Sequence, residues 1–455
     1  MSSLEIDREQ WSTRIGFLLA AVGSAVGLGN IWRFPFITGE SGGAGFLLVY
    51  LLFIVFVGFP AILVEFVVGR NTERNPVGAV REIGRGKWRS LGWIFVVTTF
   101  VIMSYYSVVA GWTIRYTLLG LFGGYTADTE GAETQFFELA QGGEAMAFHG
   151  LFLLIVLVIV GLGVRRGIEL AAKIVVPAII LILLVLAGWA ATLGGADQAY
   201  SFYLSPDFGE LATNWTTVLP AAAGQAFYTL SLGFGIMITY ASYVGEDRNL
   251  AADGGIIIAF DTMIAFVVGL VVFPVLFTAG VDPADPGVGV LFISIASAFG
   301  ELTAGGVVGA VFFGTVAIAA LSSAISLTEV VVSYLVDEQS VPRFRATALL
   351  CVALFVLGLA PAYDLVLLSA YDGLADGILL ILGALLLSIY VAWLWADEAI
   401  AELSHGIDNI GNLGSYWIWA VRIPVLVVLV VSLALGIGDY VEFLQNEFVP
   451  WVEDL

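Results

Sequence analysis

The chain has 455 residues, of which 60% are hydrophobic and 12% charged, with a mean hydropathy of +0.98. A soluble globular protein of this length needs far more polar surface, so that class is excluded. One cysteine, Cys351, excludes an intramolecular disulfide, and with a formal net charge of −21 no nucleic-acid partner is expected.

The acidic, polar stretch 1–10 is wrong for a cleaved signal peptide. Eleven apolar blocks follow, at 13–37, 44–69, 88–120, 147–164, 169–193, 215–243, 254–280, 305–336, 346–360, 371–395 and 417–443. Their length is on the order of the ~20 residues that cross a ~30 Å hydrocarbon core as helix. The alternation of barrel strands is missing from them, so the chain reads as an all-α membrane protein with eleven transmembrane helices in the lipid bilayer. The longest polar stretch, 125–144, reads as a loop. Residues 282–301 read as short helices over the outer face. No soluble domain fits between the blocks, and residues 1–455 form a single membrane domain.

Charge sets the expected orientation. With the N-terminus in the cytoplasm, Arg70, Arg74, Arg81, Arg85, Lys87, Arg89, Arg165, Arg166, Lys173, Arg248, Arg343 and Arg345 fall inside, and only Arg33 and Arg115 toward the outside. This is the asymmetry of the positive-inside rule for a multi-pass plasma-membrane protein. Eleven spans then leave the C-terminus and its acidic tail 447–455 outside. Asp128, Glu130, Glu133, Glu138, Asp197, Asp207, Glu210, Asp282 and Asp285 crowd the external loops. Such an acidic surface suggests a high-salt host, an idea that equal stability in low and molar salt would overturn. His149 and His405 lie far apart near block ends and read as interface residues rather than metal ligands.

Two blocks are interrupted by glycine. The first reads Ala21-Val-Gly-Ser-Ala-Val-Gly-Leu-Gly-Asn30, and the sixth reads Gly224-Gln-Ala-Phe-Tyr-Thr-Leu-Ser-Leu-Gly-Phe-Gly235. Each glycine lowers helix propensity by ~1 kcal/mol relative to alanine, so unwinding in mid-membrane is expected. Freed backbone groups must then face protein, water or a ligand. Close helix packing is the competing explanation of such glycines. The interrupted blocks stand first and sixth, hence in corresponding places of two five-span halves, about 11–193 and 215–396, with an extra helix at about 417–443. That is the pattern of an inverted repeat whose site lies where the broken helices meet.

These residues resemble a known family. Trp11-Ser-Thr-Arg14 with Gly23-Ser-Ala-Val-Gly-Leu-Gly-Asn30-Ile-Trp-Arg33-Phe-Pro35 is similar to the first-helix signature of the neurotransmitter:sodium symporters, which include bacterial and archaeal amino-acid transporters. Gly224-Gln with Thr229-Leu-Ser-Leu-Gly-Phe-Gly235 and Thr239-Tyr-Ala-Ser-Tyr243 resembles the sixth-helix signature, and Ala319-Ala-Leu-Ser-Ser323 the eighth. The resemblance implies a sodium-coupled symporter, not an enzyme, that imports a small zwitterion by alternating access.

It also implies two sodium sites. One uses Ala25, Asn30, Thr229 and Asp261, where relatives usually have Asn. The other uses Gly23, Val26, Ala319, Ser322 and Ser323, where Ser322 stands for a common Thr. A carboxylate at Asp261 implies that chloride is not required, with Tyr50, Gln225 and Thr229 hydrogen-bonding it; the acidic position of some relatives one turn on is Ala265. Packing or helix back-bonding is the bland alternative for the two serines, and pairing with a helix end for Asp261. By the same resemblance, the substrate carboxylate lies on the backbone N–H groups around Leu28 and Gly29 and on Tyr106. Ser24, Ala25, Ile102, Tyr228, Thr229, Ser231, Phe234, Ser323, Ser326 and Leu327 surround the rest, which suits a hydrophobic or aromatic amino acid.

Gates are expected at Arg33 with Asp372 outside, Asp376 being its rival, above a lid of Tyr106 and Phe234. The inner gate is expected at Arg8 with Asp337, supported by Trp11, Tyr240 and Tyr243. Gly167 and Pro177 are spaced as the family's fifth-helix motif, whose unwinding admits water to the second sodium site. Glu65 is expected to hold unwound backbone of the sixth helix. A betaine or β-amino acid carrier and a non-transporting solute sensor are the competing functions; the sequence leaves the oligomeric state open.

Overall fold

The protein, described here from a computed structural model, has residues 10–283, 290–408 and 410–453 placed. Among the described residues the regular elements are all helices. The first, α1, is a pair of half-helices, Arg14–Ala25 and Gly29–Glu40, bent by 49°. Then come α2 (Ala44–Thr72), α3 (Arg89–Phe122), α4 (Gly142–Gly161) and α5 (Val164–Ala190). The sixth, α6, is again two pieces, Phe208–Thr229 and Ile236–Ala241. The rest are α7 (Leu250–Ala279), α8 (Gly305–Gln339), α9 (Arg343–Tyr363), α10 (Leu365–Leu394) and α11 (Leu413–Glu453). Nine described helices are long and apolar enough to cross a membrane alone, α1 makes the tenth as a bent pair, and α6 supplies the eleventh block of the sequence.

The two breaks arise differently. In α1 the N–H of Val26 still bonds Val22 O at 2.8 Å, but ψ at Val26 swings to 95° and the helix restarts only at Gly29. In α6 the break is Leu230–Gly235, where Ser231, Gly233 and Gly235 take φ of 53°, 83° and 71°, a left-handed conformation that glycine adopts without steric cost. Gly224, although part of the glycine signature, stays helical. The donor freed at Gly233 is met by Glu65 Oε1 at 2.7 Å, as the resemblance implied for this residue.

Helix packing brings the breaks together. The long helices α3 and α8 lie along one another, and α4 packs on both α3 and α9. The first half of α1 rests between α5 and α8, and both pieces of α6 rest on α2. At the centre Ser231 Oγ donates to Ser24 O at 3.2 Å and Gln225 Nε2 to Gly29 O at 3.0 Å. This packing is consistent with two five-span halves plus α11.

Three expectations change. The stretch 125–144 is not only loop: it folds a helix, Thr129–Ala140, N-capped by Asp128 Oδ1 on Gly131 N at 2.6 Å. Phe136 and Leu139, three residues apart, share its buried face, and the Phe136 ring meets Trp112 at 5.4 Å. His149 is not an interface residue. It is fully buried, stacks on Phe355 at 5.3 Å and sets Nε2 3.3 Å from Phe355 O. The last helix runs past block 417–443 to Glu453, and Trp451 Nε1 anchors it on Asp364 Oδ2 at 3.0 Å. Of the 282–301 region, residues Leu291–Glu301 are helical as expected; Asp285 lies outside the described residues.

Candidate functional site

The first oxygen cluster forms where α1 restarts. Asp261, fully buried on α7, accepts Asn30 Nδ2 at 2.7 Å and Thr229 Oγ1 at 2.9 Å. Asn30 Oδ1 in turn accepts Gly27 N at 3.2 Å. Three side-chain oxygens from α1, α6 and α7 are thereby gathered beside the α1 break. A buried carboxylate costs several kcal/mol unless it is paired, and here only neutral donors reach it. Among the described residues no group of three or more His, Cys, Asp or Glu could hold a metal, so any cation here must be taken by neutral oxygens around one carboxylate. That donor set suits a hard monovalent ion. Gln225 does not bond Asp261: its Nε2 donates to Gly29 O, and its buried Oε1 has no hydrogen-bond partner among the described residues. Among the described residues Tyr50 makes no hydrogen bond to Asp261 either.

The second cluster lies across the break. Ser322 Oγ on α8 is 2.6 Å from Gly23 O, 3.2 Å from Val26 O and 2.8 Å from Ala319 O. One hydroxyl thus touches three carbonyls, two of which α1 cannot use internally because its ladder stops there. Ser323, expected beside it, instead turns its Oγ to Ser24 O at 2.9 Å. Helix α5 closes this cluster: a Cβ added at Gly23 would come within 2.9 Å of Val176 Cγ2. Val176 precedes Pro177, which stands inside α5, while Gly167 is pressed so close to α4 that a Cβ there would meet Ile159 O.

Between the clusters is a cavity of about 30 Å³, lined by Ser24, Ala25, Gly27, Leu28, Gly29, Ile102, Tyr106, Tyr228, Ser231, Phe234, Ile236, Ser323 and Leu327. Expected residues Thr229 and Ser326 are set back from it. Ser326 Oγ lies 2.7 Å from Ser24 Oγ and donates to Ser323 O, and Thr229 faces Asp261. The Leu28 and Gly29 N–H groups open the second half of α1, where first-turn donors have no intrahelical partner. Tyr106 Oη is 3.5 Å from Leu28 N, too far for the two to satisfy each other well. Hydroxyl and helix N-terminus therefore converge on one corner, a cradle for a carboxylate.

A larger cavity, about 610 Å³, lies on the other side of Tyr106 and Tyr228, bordered by α1, α3, α6, α10 and α11. Tyr106, Tyr228 and Leu28 line both cavities and so form the partition. Phe234, expected in that lid, touches only the inner cavity; Tyr228 takes its place, with the Arg33 guanidinium 4.3 Å above its ring. Arg33 Nη1 pairs with Asp376 Oδ2 at 3.2 Å, which corrects the expected Asp372 pairing. Asp372, one turn earlier on α10, lines the same cavity as Tyr105.

The opposite side is closed by aromatic and ionic contacts. Trp11 Nε1 donates to Tyr240 O at 2.9 Å, and its ring packs edge-on against Tyr240 and Tyr243. Asp337 Oδ2 accepts Asn75 Nδ2 at 3.2 Å; Arg8, its expected partner, lies outside the described residues. Two features escaped the sequence reading. Tyr243 Oη donates to Glu329 Oε1 at 2.8 Å, and Glu329, fully buried, is forked by Arg343 at 2.7 and 3.0 Å. Glu169 accepts Ser12 N, Ser12 Oγ and Thr13 Oγ1, tying the start of α1 to α5. An ionisable residue inside an apolar block was the available signal for Glu329.

Known proteins resemble this chain over most of its length. The model of the sodium:neurotransmitter symporter family matches residues 8–126 and 137–455. An uncharacterised sodium-dependent transporter of Bacillus subtilis (strain 168) is 32% identical over 451 residues, covering 95% of this chain and 98% of the relative. One from Methanocaldococcus jannaschii is 33% identical over 456 residues, covering 94% and 90%. Among solved structures, that of MhsT in complex with L-phenylalanine aligns with a TM-score of 0.84 at 36% identity, over 94% of this chain and 99% of that one.

Proposed function

From the premise that this chain belongs to the sodium:neurotransmitter symporter family, we propose that it imports an aromatic or other hydrophobic amino acid with sodium bound at two sites and with no need for chloride. It is a multi-pass plasma-membrane symporter working by alternating access, not an enzyme. The single observation that carries the finer reading is the gathering of Asn30, Thr229 and Asp261 on one side of the α1 break and of Ser322 with three carbonyls on the other. Neutral oxygens around one carboxylate suit sodium, and the helix N-terminus between them suits the substrate carboxylate.

Each residue then has a task. Asp261 supplies the fixed negative charge beside the first ion. Ser322 with the carbonyls of Gly23, Val26 and Ala319 holds the second, and Ser323, bridging to Ser24, links that ion to the substrate cradle. Ile102, Phe234 and Leu327 take the side chain. The similar structure with L-phenylalanine supports an aromatic occupant. The cavity of about 30 Å³ is small for an amino acid, and Ser231 and Phe234 of its lining lie in the non-helical turn Leu230–Gly235, the part able to adjust as substrate enters. Arg33, Tyr228 and Asp376 close the outer side. Trp11, Tyr240 and Tyr243, and Asp337 with Arg8, close the inner side. The repeat bounds 11–193 and 215–396 place α1 and α6 as equivalent moving elements. The basic residues from Arg70 to Arg89 support a cytoplasmic N-terminus and an external C-terminus.

Proteoliposomes with an imposed sodium gradient test the proposal. Radiolabelled phenylalanine or tryptophan should accumulate with external sodium and fail to accumulate when choline replaces it. Replacement of chloride by gluconate should leave the rate unchanged; loss of uptake there would remove the role given to Asp261. Competition by leucine, glycine and betaine separates the substrate classes.

A further inference from the structure

Arg422 is the one described basic residue that sits within α11, in the π-helical turn Val421–Val425. Its Nε donates to Ala392 O at 2.9 Å. Ala392 lies in the last turn of α10, where carbonyls have no intrahelical donor and a cation opposes the helix dipole favourably. That bond uses one of the five guanidinium N–H donors. Two tryptophans flank the group, with Trp393 at 4.9 Å and Trp419 at 5.3 Å from ring centroid to guanidinium carbon. Both rings are more than half exposed on the outer surface of the bundle, which in a membrane protein is the lipid-facing surface. No carboxylate among the described residues lies within salt-bridge distance of Arg422, although α10 is followed at once by Asp397 and Glu398.

Tryptophan pairs belong at the headgroup level of a bilayer. The acceptors there are water and lipid phosphodiesters, and of these only the phosphodiester carries the charge opposite to a guanidinium. A second basic element stands at the same end of α10. Arg85 and Lys87 in the turn before α3 and Arg89 at its first residue are exposed, and this stretch is fixed to α10 by Tyr390 Oη on Ile83 O at 2.6 Å and by Trp88 against Tyr390 at 5.2 Å. The geometry points to a site for one anionic phospholipid between α10 and α11, with its phosphate on Arg422, its glycerol and upper chain against Trp393 and Trp419, and the basic stretch adding attraction to the headgroup. In the orientation proposed above, the site faces the cytoplasmic leaflet. It depends on the transporter's family only through membrane insertion, so its failure would leave the transport proposal untouched.

Native mass spectrometry of the full chain released from nanodiscs of mixed phosphatidylglycerol and phosphatidylcholine tests it. The wild type should retain one phosphatidylglycerol in preference to phosphatidylcholine by about fivefold, the ratio for the ~1 kcal/mol of one basic side chain near an anionic surface. Arg422→Gln, which can still donate to Ala392 O, should lose that preference while keeping sodium-dependent substrate binding. Trp419→Leu, which leaves the hydrogen bond to Ala392 intact, should weaken it and serves if the first variant does not fold. An unchanged preference in either folded variant overturns the site. Displacement of the lipid by millimolar inorganic phosphate also overturns it, since the pocket would then select a free anion.

Discussion

Tyr243→Phe removes the hydroxyl that bonds Glu329, a contact of the proposed inner gate. Tyr243 follows the second piece of α6, which should swing with α1 in the transport cycle, while Glu329 and Arg343 belong to α8 and α9. The Glu329–Arg343 fork joins two helices expected to stay fixed, whereas the bond from Tyr243 Oη to Glu329 at 2.8 Å should break as the inner side opens. A hydrogen bond to a charged group contributes a net ~1.5–3 kcal/mol. At ~1.4 kcal/mol per tenfold, its removal should raise the open-inside population by about tenfold at least and about a hundredfold at most. Phenylalanine keeps the ring packing against Trp11 at 6.1 Å, so the loss is confined to the hydroxyl. Amide hydrogen exchange of Arg14–Ala25 reads the opening, because those amides lose protection when the first half of α1 leaves α5 and α8. Exchange in that segment should accelerate by the same factor, with α3 and α8 unchanged as internal controls. Protection within twofold of wild type in a folded, substrate-binding variant would refute the assignment of this bond to the gate.

Asp261→Asn should weaken sodium by more than tenfold, since unit charges 4 Å apart attract by ~4 kcal/mol at an effective dielectric of 20. Sodium titration of substrate binding checks this, and added chloride should recover part of the loss. Gly29→Ala places a Cβ 2.8 Å from the Tyr228 ring; overpacking of ~1–3 kcal/mol should lower substrate affinity by about tenfold in equilibrium binding, with little change in melting temperature. Asp376→Asn should speed escape of bound substrate to the outside more than Asp372→Asn does. The effect should stay within about fivefold because a partly exposed pair contributes only ~0–1 kcal/mol, and equal effects would undo the Arg33–Asp376 pairing.

Much of this architecture was legible because hydrophobic length and glycine are strong local signals. The first break follows from Gly23, Gly27 and Gly29, but their role proved larger than helix weakening. A Cβ at Gly27 would collide with Ser323 Oγ, and one at Gly29 with Tyr228. The glycines therefore serve close approach as well as unwinding, and the two explanations posed as rivals from sequence are both true. Gly224 shows the opposite: a signature glycine that remains helical, because position in a motif does not specify φ. The amphipathic helix Thr129–Ala140 was hidden by its polarity, since its apolar face is only a few residues wide.

Pairings were the least legible part, and the reason is geometric. Asp372 and Asp376 lie one turn apart on α10, so sequence spacing offers both to Arg33. Asp376, which takes the pair, lies in the π-helical turn Ala375–Leu380, whose winding no propensity scale foresees. Glu329 and Glu169 were missed for a related reason: Arg343, Tyr243, Ser12 and Thr13 reach them from other segments of the chain, and only packing reveals which, although Lys173 one turn on from Glu169 is a local partner. The same reasoning explains why the oxygen clusters were easier. The carbonyls of Gly23 and Val26 lie at the α1 break itself, where the chain shows that a helix loses its hydrogen-bond ladder, whereas Asp261 on α7 and Ser322 on α8 were named only through the family resemblance. A site made from backbone is written in local sequence; a gate made from long side chains is written in the packing.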